Sequence, residues 1–488
     1  MVFTANNQSL IFSLPLAGSV CGAISAPWFQ TKYGRKWPLL GSYAFGLCGN
    51  FLQIFAPNLT AFVVGRFWGN FASGIGAATA PLYLAEVAPA AIRGAAVASS
   101  NILALLSAVL AAAVVLGSHY WTGEKGYLSY QLPLGIQAVP TGVLLPFTFF
   151  LPDSAQWLAS KDRMAEARAC LRKVRGFSDA MVDDELRVMK MSEDSQRAQQ
   201  AGLRFWHLFN KENLERTLVA GSMFSFNQIS GIILTTTYAT VFLTQLNIGD
   251  PYVFTVIAQV CVLLGTIAAP FTMDRAGRRP TALIGMIVLF FIDIICGILA
   301  FYTDIRSAGL ALVAFSMIFN FFWASSFYSI SNLLPAEIAS VKMRNYTMAY
   351  TIAWAQTTAV ITTFAVPQIT SADGANLGAK AYLIFAGCMA LIITFVYFLV
   401  PETKGRTFAE IDELYARNVP RRKWTKAETS THAKHASVVS TEVFGRGSVV
   451  GSVVFDMDAG PGVRRKSTYT GIAEGGASGS EKRSGGHP

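Results

Sequence analysis

The chain has 488 residues, 52% of them hydrophobic and only 14% charged, which excludes an ordinary soluble protein. The basic residues behind its formal net charge of +10 lie in alternate short loops, the central loop and the tail, a distribution that marks topology rather than a nucleic-acid-binding patch. No nucleophile–base pair, metal-ligand spacing or Walker-type phosphate loop emerges, so neither an enzyme, a cofactor nor ATP-driven transport is expected.

In chain order, eleven apolar runs of about 20 residues, each enough for ~30 Å of hydrocarbon, read as membrane-spanning helices. Five of them, at 10–30, 37–56, 60–80, 96–117 and 131–151, form a bundle over residues 1–151. A polar central loop follows at 152–216. Met164, Ala167, Cys170, Leu171 and Val174 stand there at helical spacing, which predicts short amphipathic helices. The stretch 176–202 reads equally well as a solvated linker. Six more runs, at 217–243, 252–273, 280–302, 307–334, 346–369 and 380–400, form a second bundle over 217–400. The tail, 401–488, is rich in Ser, Thr, Gly and basic residues and reads as disordered from about 421. Within it, Arg464-Arg465-Lys466-Ser467-Thr468 is a weak candidate phosphate acceptor.

Lys32, Arg35 and Lys36 follow the first run, Arg275, Arg278 and Arg279 the seventh, and Lys342 and Arg344 the ninth. The loops between these basic ones carry almost no Lys or Arg. Basic loops stay in the cytosol, so the central loop and the C-terminal tail are expected there, in a multi-pass protein of the plasma membrane. The six cysteines show neither a disulfide framework nor a zinc spacing.

The charged loops are written twice. Gly34-Arg35-Lys36 returns as Gly277-Arg278-Arg279, 243 residues later. Glu86 and Arg93 return as Glu337 and Arg344, 251 later, and Pro152-Asp153 as Pro401-Glu402, 249 later. Such a repeat marks a carrier of two parallel helix bundles. Two runs precede the Gly-Arg-Arg loop but only one precedes Gly-Arg-Lys, so the first bundle is expected to lack its first helix: five plus six spans in place of twelve.

On these residues the chain resembles the sugar porter family of the major facilitator superfamily, most closely its fungal members. The resemblance rests on Gly65-Arg66, Pro81-Leu82-Tyr83-Leu84-Ala85-Glu86, Arg93-Gly94, Leu132-Pro133-Leu134-Gly135-Ile136-Gln137 and Pro152-Asp153-Ser154. It continues through Asn227-Gln228-Ile229-Ser230-Gly231, Asp274-Arg275-Ala276-Gly277-Arg278-Arg279, Pro335-Ala336-Glu337 and Pro401-Glu402-Thr403-Lys404-Gly405-Arg406. It implies an all-α membrane protein of the major facilitator fold that moves a sugar or sugar-like polyol across the bilayer by alternating access. Coupling to protons stays open. Two other readings stay beside it: a nutrient sensor signalling through its tail, and an inactive, truncated carrier.

Arg35, Lys36, Glu86, Arg93, Asp153, Asp274, Arg275, Arg278, Arg279, Glu337, Arg344 and Glu402 fall at one set of helix ends. They are expected to form inter-helix ion pairs that hold the two halves together when the cavity opens outward and break when it opens inward. The family's acid three before the first glycine is Thr31 here, whereas Asp274 keeps it in the second half.

Amides inside apolar helices are the expected sugar ligands, since each can both donate to and accept from hydroxyls. By resemblance, Gln137, Asn227 and Gln228 match substrate positions. Asn101 stands where the family usually has glutamine, and Asn332 and Gln356 where it often has tryptophan. Trp323, Trp354, Tyr238 and Tyr328 are candidates to stack on a sugar ring. Asp293, alone in an apolar run, is either a proton site or a protonated or hydrogen-bonded packing residue. Proton-coupled relatives usually carry their acid on the first helix.

Overall fold

Helix ends in this protein fall where the sequence places its punctuation. Gly34 and Gly277 take positive φ angles of 88° and 95° and close one helix just before the next begins. Asn58 and Asp250 cap the helices that follow them with their side-chain oxygens. The computed structural model describes residues 4–89, 92–122, 128–175, 179–200, 203, 205–236, 250–302, 305–340, 342–371, 373–427 and 429, all within one unit that ends at Thr431.

The first half comprises α1 (Ala5–Tyr33), α2 (Lys36–Ile54), α3 (Leu59–Val87), α4 (Arg93–Thr122) and α5 (Leu128–Phe150). The second comprises α9 (Lys211–Ile229), α10 (Ile232–Thr236), α11 (Pro251–Ala276), α12 (Arg278–Leu299), α13 (Arg306–Phe322), α14 (Ser329–Ile338), α15 (Arg344–Thr370) and α16 (Tyr382–Leu399). A π-helical turn, Trp323–Tyr328, joins α13 to α14. Seven of the described helices are long and apolar enough to span a membrane. The remaining expected runs, at α2, α3, α9–α10 and α15, are helical but shorter or more polar. They carry Asn50, Gln53, Arg66, Asn70, Gln228 and Gln356, and polar side chains lower hydropathy where a helix faces its neighbours or a cavity.

The run expected over 217–243 is not continuous. Gly231 takes a φ of +86°, which separates α9 from α10, and residues 237–249 lie outside the described set.

Small residues set the tightest helix crossing. A Cβ on Gly22 would lie 2.1 Å from the Phe71 carbonyl oxygen, and one on Gly74 would lie 2.3 Å from that of Ser19. Backbones of α1 and α3 thus touch directly, as membrane helices do where only hydrogen stands in place of a side chain. The halves meet through α1 against α15 and α4 against α11.

The central loop holds α6 (Ala155–Ser160), α7 (Met164–Arg175) and α8 (Asp179–Gln200), so 179–200 is helix rather than linker. Trp157, Leu158, Ala159, Ala167 and Leu186 form its small core. The Trp157 indole donates to the Thr31 carbonyl (3.3 Å), docking the loop on α1. After the last membrane helix, α17 (Phe408–Ala416) begins with a Thr407–Glu410 capping box. A 3₁₀ turn, Arg421–Lys426, then buries Trp424 completely, so the first residues of the stretch read as disordered are packed. Arg421 Nε donates to Glu215 (2.9 Å) and Arg216 pairs with Asp412, tying this segment to the start of α9. The proposed phosphate acceptor at 464–468 lies outside the described residues.

Candidate functional site

The duplicated loops build the same device in each half. In the first, the Asp153 carboxylate accepts from the backbone N–H of Arg35 (2.9 Å) and of Lys36 (3.4 Å), and Arg35 pairs with Glu86. In the second, Glu402 accepts from the N–H of Arg278 and of Arg279 (both 3.0 Å), and Arg278 pairs with Glu337 (3.3 Å). A carboxylate at a helix N-terminus satisfies amides that have no partner in the helix and meets the positive end of its dipole. The ion pairs therefore lie within each half. Asp274 is exposed, 3.9 Å from Arg278. Arg275 offers its backbone carbonyl to Lys404 (2.9 Å), and Arg279 donates to the Tyr397 carbonyl (2.8 Å). Lys36 lies 5.1 Å from the Phe149 ring centre, and Arg344 stacks over Phe408 at 4.4 Å rather than on Glu337. The Arg93 side chain lies outside what is described.

Hydrogen bonds that join the halves gather at the opposite end. Ser9 Oγ donates to the Phe364 carbonyl (2.9 Å), Gln368 donates to Asn6 Oδ1 (2.8 Å), and the Tyr120 hydroxyl donates to Asp250 Oδ2 (2.7 Å). His119 and Tyr252 stack beside the last of these, 4.4 Å between ring centres. The bond from Tyr120 holds the Asp250 carboxyl below its ordinary range.

Between α2, α3, α4 and α5 lies a cavity of about 700 Å³. Asn101 and Gln137 both line it, with Asn50, Gln53, Arg66 and Asn70. Gln53 is spent on the carbonyls of Gly49 and Gly65 (3.1 and 3.4 Å), and Asn70 on that of Arg66 (3.0 Å). Among the described residues the amides of Asn101 and Gln137 carry no hydrogen bond, so they are free for a solute. The Arg66 guanidinium sits about equally over Phe12 and Phe62, 5.9 and 6.0 Å from the ring centres.

The other expected ligands are in the second half, and none of them lines this cavity. Asn227 is 1% exposed and its Oδ1 meets no partner. Gln228 and Gln356 are half-buried, while Asn332 is exposed and donates to the Tyr328 carbonyl of its own helix (2.9 Å). Trp323 and Tyr328 stack on each other (4.8 Å), as do Tyr350 and Trp354 (6.4 Å); Tyr238 lies outside the described residues. Asp293 is fully buried, and neither carboxyl oxygen is hydrogen-bonded. The structure adds Asn50, Gln53, Arg66 and Asn70, as well as Asn320, which accepts from Thr235 (3.1 Å). All are polar residues inside apolar runs, the same signal that pointed to Gln137.

The sequence family described as "Sugar (and other) transporter" matches residues 4–415. The major facilitator-type transporter ecdD of Aspergillus rugulosus is 30% identical over 84% of this chain and 78% of its own length. The high glucose sensor RGT2 of Saccharomyces cerevisiae is 28% identical over 87% of this chain, which spans 57% of that longer protein. Among solved structures, the inward-open xylose transporter XylE of E. coli superposes with a TM-score of 0.71 at 20% identity, over 84% of this chain and 89% of that one.

Proposed function

The chain belongs to the sugar (and other) transporter family of the major facilitator superfamily, and from that premise we propose that it carries a neutral sugar or cyclic polyol across a membrane by alternating access. The observation that carries this reading is the first-half cavity, where the unengaged amides of Asn101 and Gln137 face about 700 Å³ of space. Amides suit a polyhydroxylated solute because each matches a hydroxyl as donor and as acceptor. With the basic loops on the cytosolic side, the contacts Ser9–Phe364 and Tyr120–Asp250 close the outer end. The arrangement is then the inward-facing stage of the cycle, with both ion-pair devices at the open end.

Uptake of radiolabelled D-glucose, D-xylose, maltose and myo-inositol by a transport-null yeast expressing the chain tests this. Saturable uptake of at least one solute is expected, with its KM raised in Gln137→Ala. A chain that reaches the plasma membrane and carries none of them is not a sugar carrier.

The likeness to a glucose sensor supports a second reading, in which the protein reports on its solute. Removing residues 430–488 separates the two: lost sugar-dependent transcription with intact uptake indicates sensing.

A further inference from the structure

Around the break between α9 and α10 the second half buries hydrogen-bonding atoms that meet no partner. Asp293, in the middle of α12, has no exposed surface and no hydrogen bond to either carboxyl oxygen. A Cβ built on Gly231 would lie 3.5 Å from its Oδ1, so the carboxyl adjoins the residue whose left-handed backbone breaks the helix. Asn227 Oδ1, about one turn before the break, is also unpartnered, and so are Asn320 Nδ2 and Trp323 Nε1. Asn320 is tied to the segment after the break, because its Oδ1 accepts from Thr235. Acceptors without donors (Asp293, Asn227) and donors without acceptors (Asn320, Trp323) thus belong to the break itself and to elements packed around it. Buried polar atoms are rarely left so, and a cluster of them calls for an explanation such as a bound ion, a water or a proton.

The titratable groups facing Asp293 are Tyr382 from α16 and Cys296 about one turn along α12. From α13 comes the Ser316 hydroxyl, which shares a hydrogen bond with Tyr382 (3.1 Å), and from the broken helix Gly231 adjoins the carboxyl. No charged side chain of the elements packed on α12 bonds to Asp293. A lone carboxylate in such a place is far costlier than a neutral acid.

We propose that Asp293 is the proton-carrying group of this transporter, neutral in the arrangement seen here and ionised when the α9–α10 break moves. The proposal rests on the carrier reading above. A shift of the break brings the waiting N–H groups of Asn320 and Trp323 toward the carboxyl. The Asp293 O–H bond then breaks, its electron pair stays on the oxygen, and the proton passes to water admitted with the solute. Return to the present arrangement takes one proton back from water.

Two measurements on the full chain test this. In lipid nanodiscs at neutral pH, infrared spectroscopy should show the C=O band of a buried protonated carboxyl that Asp293→Asn removes, with the thermal midpoint unchanged because Asn is the neutral isostere. In proteoliposomes, a one-unit inward proton gradient should concentrate whichever of the four radiolabelled solutes is carried by about tenfold at one proton per solute. Asp293→Asn should lose that accumulation. Asn320→Leu, which removes a donor for the ionised form, should keep the band and lose most of the accumulation. No such band in the wild type, a band that survives Asp293→Asn, or accumulation unchanged by Asp293→Asn overturns the proposal. Failure of the sugar reading shows separately, as no uptake of any solute by any variant, while the infrared arm still decides whether Asp293 holds the proton.

Discussion

Arg35 grips Glu86 with two prongs, Nε to Oε2 at 2.9 Å and Nη2 to Oε1 at 2.7 Å, across 51 residues of sequence. The side chains keep only 16% and 6% of their exposure. Their counterparts, Arg278 and Glu337, meet at 3.3 Å with 18% and 17% exposed. Removing one partner of a buried pair strands the other, and the loss grows with burial and with bidentate geometry. Glu86→Gln is therefore expected to lower stability by about 2–3 kcal/mol and Glu337→Gln by about 1–2 kcal/mol. Thermal melts of the purified protein in detergent should rank the two in that order, and equal midpoints would contradict it.

Gly34 and Gly277 are each held in a left-handed conformation under a carboxylate that reads the next two backbone amides. A Cβ on Gly34 would fall 2.2 Å from Asp153 Oδ2, and one on Gly277 would fall 2.8 Å from Glu402 Oε2. Alanine at either site adds backbone strain of about 1–3 kcal/mol and pushes the carboxylate off the helix end. Gly34→Ala has the harder clash. The yield of monodisperse protein by size-exclusion chromatography should fall for both, and further for Gly34→Ala.

These loops were legible because each piece is a short signature written twice: a glycine with a basic pair, and an acid after proline, at helix ends. The helix runs were legible for a similar reason, since apolar length alone decides them. Partnerships across the fold were not. The duplicated spacing ties Glu86 to Arg93 and Glu337 to Arg344, yet Glu86 and Glu337 pair with Arg35 and Arg278, and Arg344 turns to Phe408. Nothing in one sequence encodes which helix faces which. The break at Gly231 was hidden for another reason, because Ile232-Ile233-Leu234 continues the apolar run and masks the glycine. Polar residues in apolar runs did announce the site, but Arg66 was read only as a signature and Asn320 not at all.

Asn101 and Gln137 face one cavity with their amides free, so both should hold the same solute. One hydrogen bond lost to a bound solute costs about 0.5–1.5 kcal/mol, which raises KM by roughly twofold to tenfold. Asn101→Ala and Gln137→Ala should each show that rise with unchanged surface expression, and Gln137→Glu should not restore affinity for a neutral solute. Uptake kinetics measure it. Unchanged KM in both variants would remove this cavity from the transport path.

Cys170 bridges the central loop to the first bundle, its thiol donating to the Asp153 carbonyl at 2.9 Å. Burial pushes the thiol above its ordinary value, and the nearby Asp153 charge pushes it further the same way. The folded state thus binds this proton more tightly than the unfolded state. That contribution is full below the ordinary thiol value of 9.0 and is lost as pH rises past it. The thiolate is the nucleophile, so maleimide labelling of Cys170 should be slow at neutral pH and should accelerate only at higher pH than a free thiol. Asp153→Asn should bring the acceleration to lower pH. Mass spectrometry of the labelled peptide reads both, and labelling as fast as a free thiol would show that the loop is not docked on the bundle.

Tyr120 and Asp250 join the halves at the end opposite the basic loops, hydroxyl to carboxylate at 2.7 Å, where α4 meets α11. Tyr120→Phe keeps the ring against His119 and removes only the hydroxyl, so packing stays while the latch across the halves is lost. In a two-state carrier, weakening one closed end shifts population toward the state in which that end is open. A single cysteine introduced at Asn70, in the cavity wall, reports the shift when the six native cysteines are replaced by serine. A membrane-impermeant maleimide added from outside should label it faster in the Tyr120→Phe background than with Tyr120 intact. Asp250→Asn should act in the same direction but less, because its amide still offers Tyr120 an oxygen acceptor. Labelling that is equally slow in all three backgrounds would mean that the hydroxyl bond does not help to close this end.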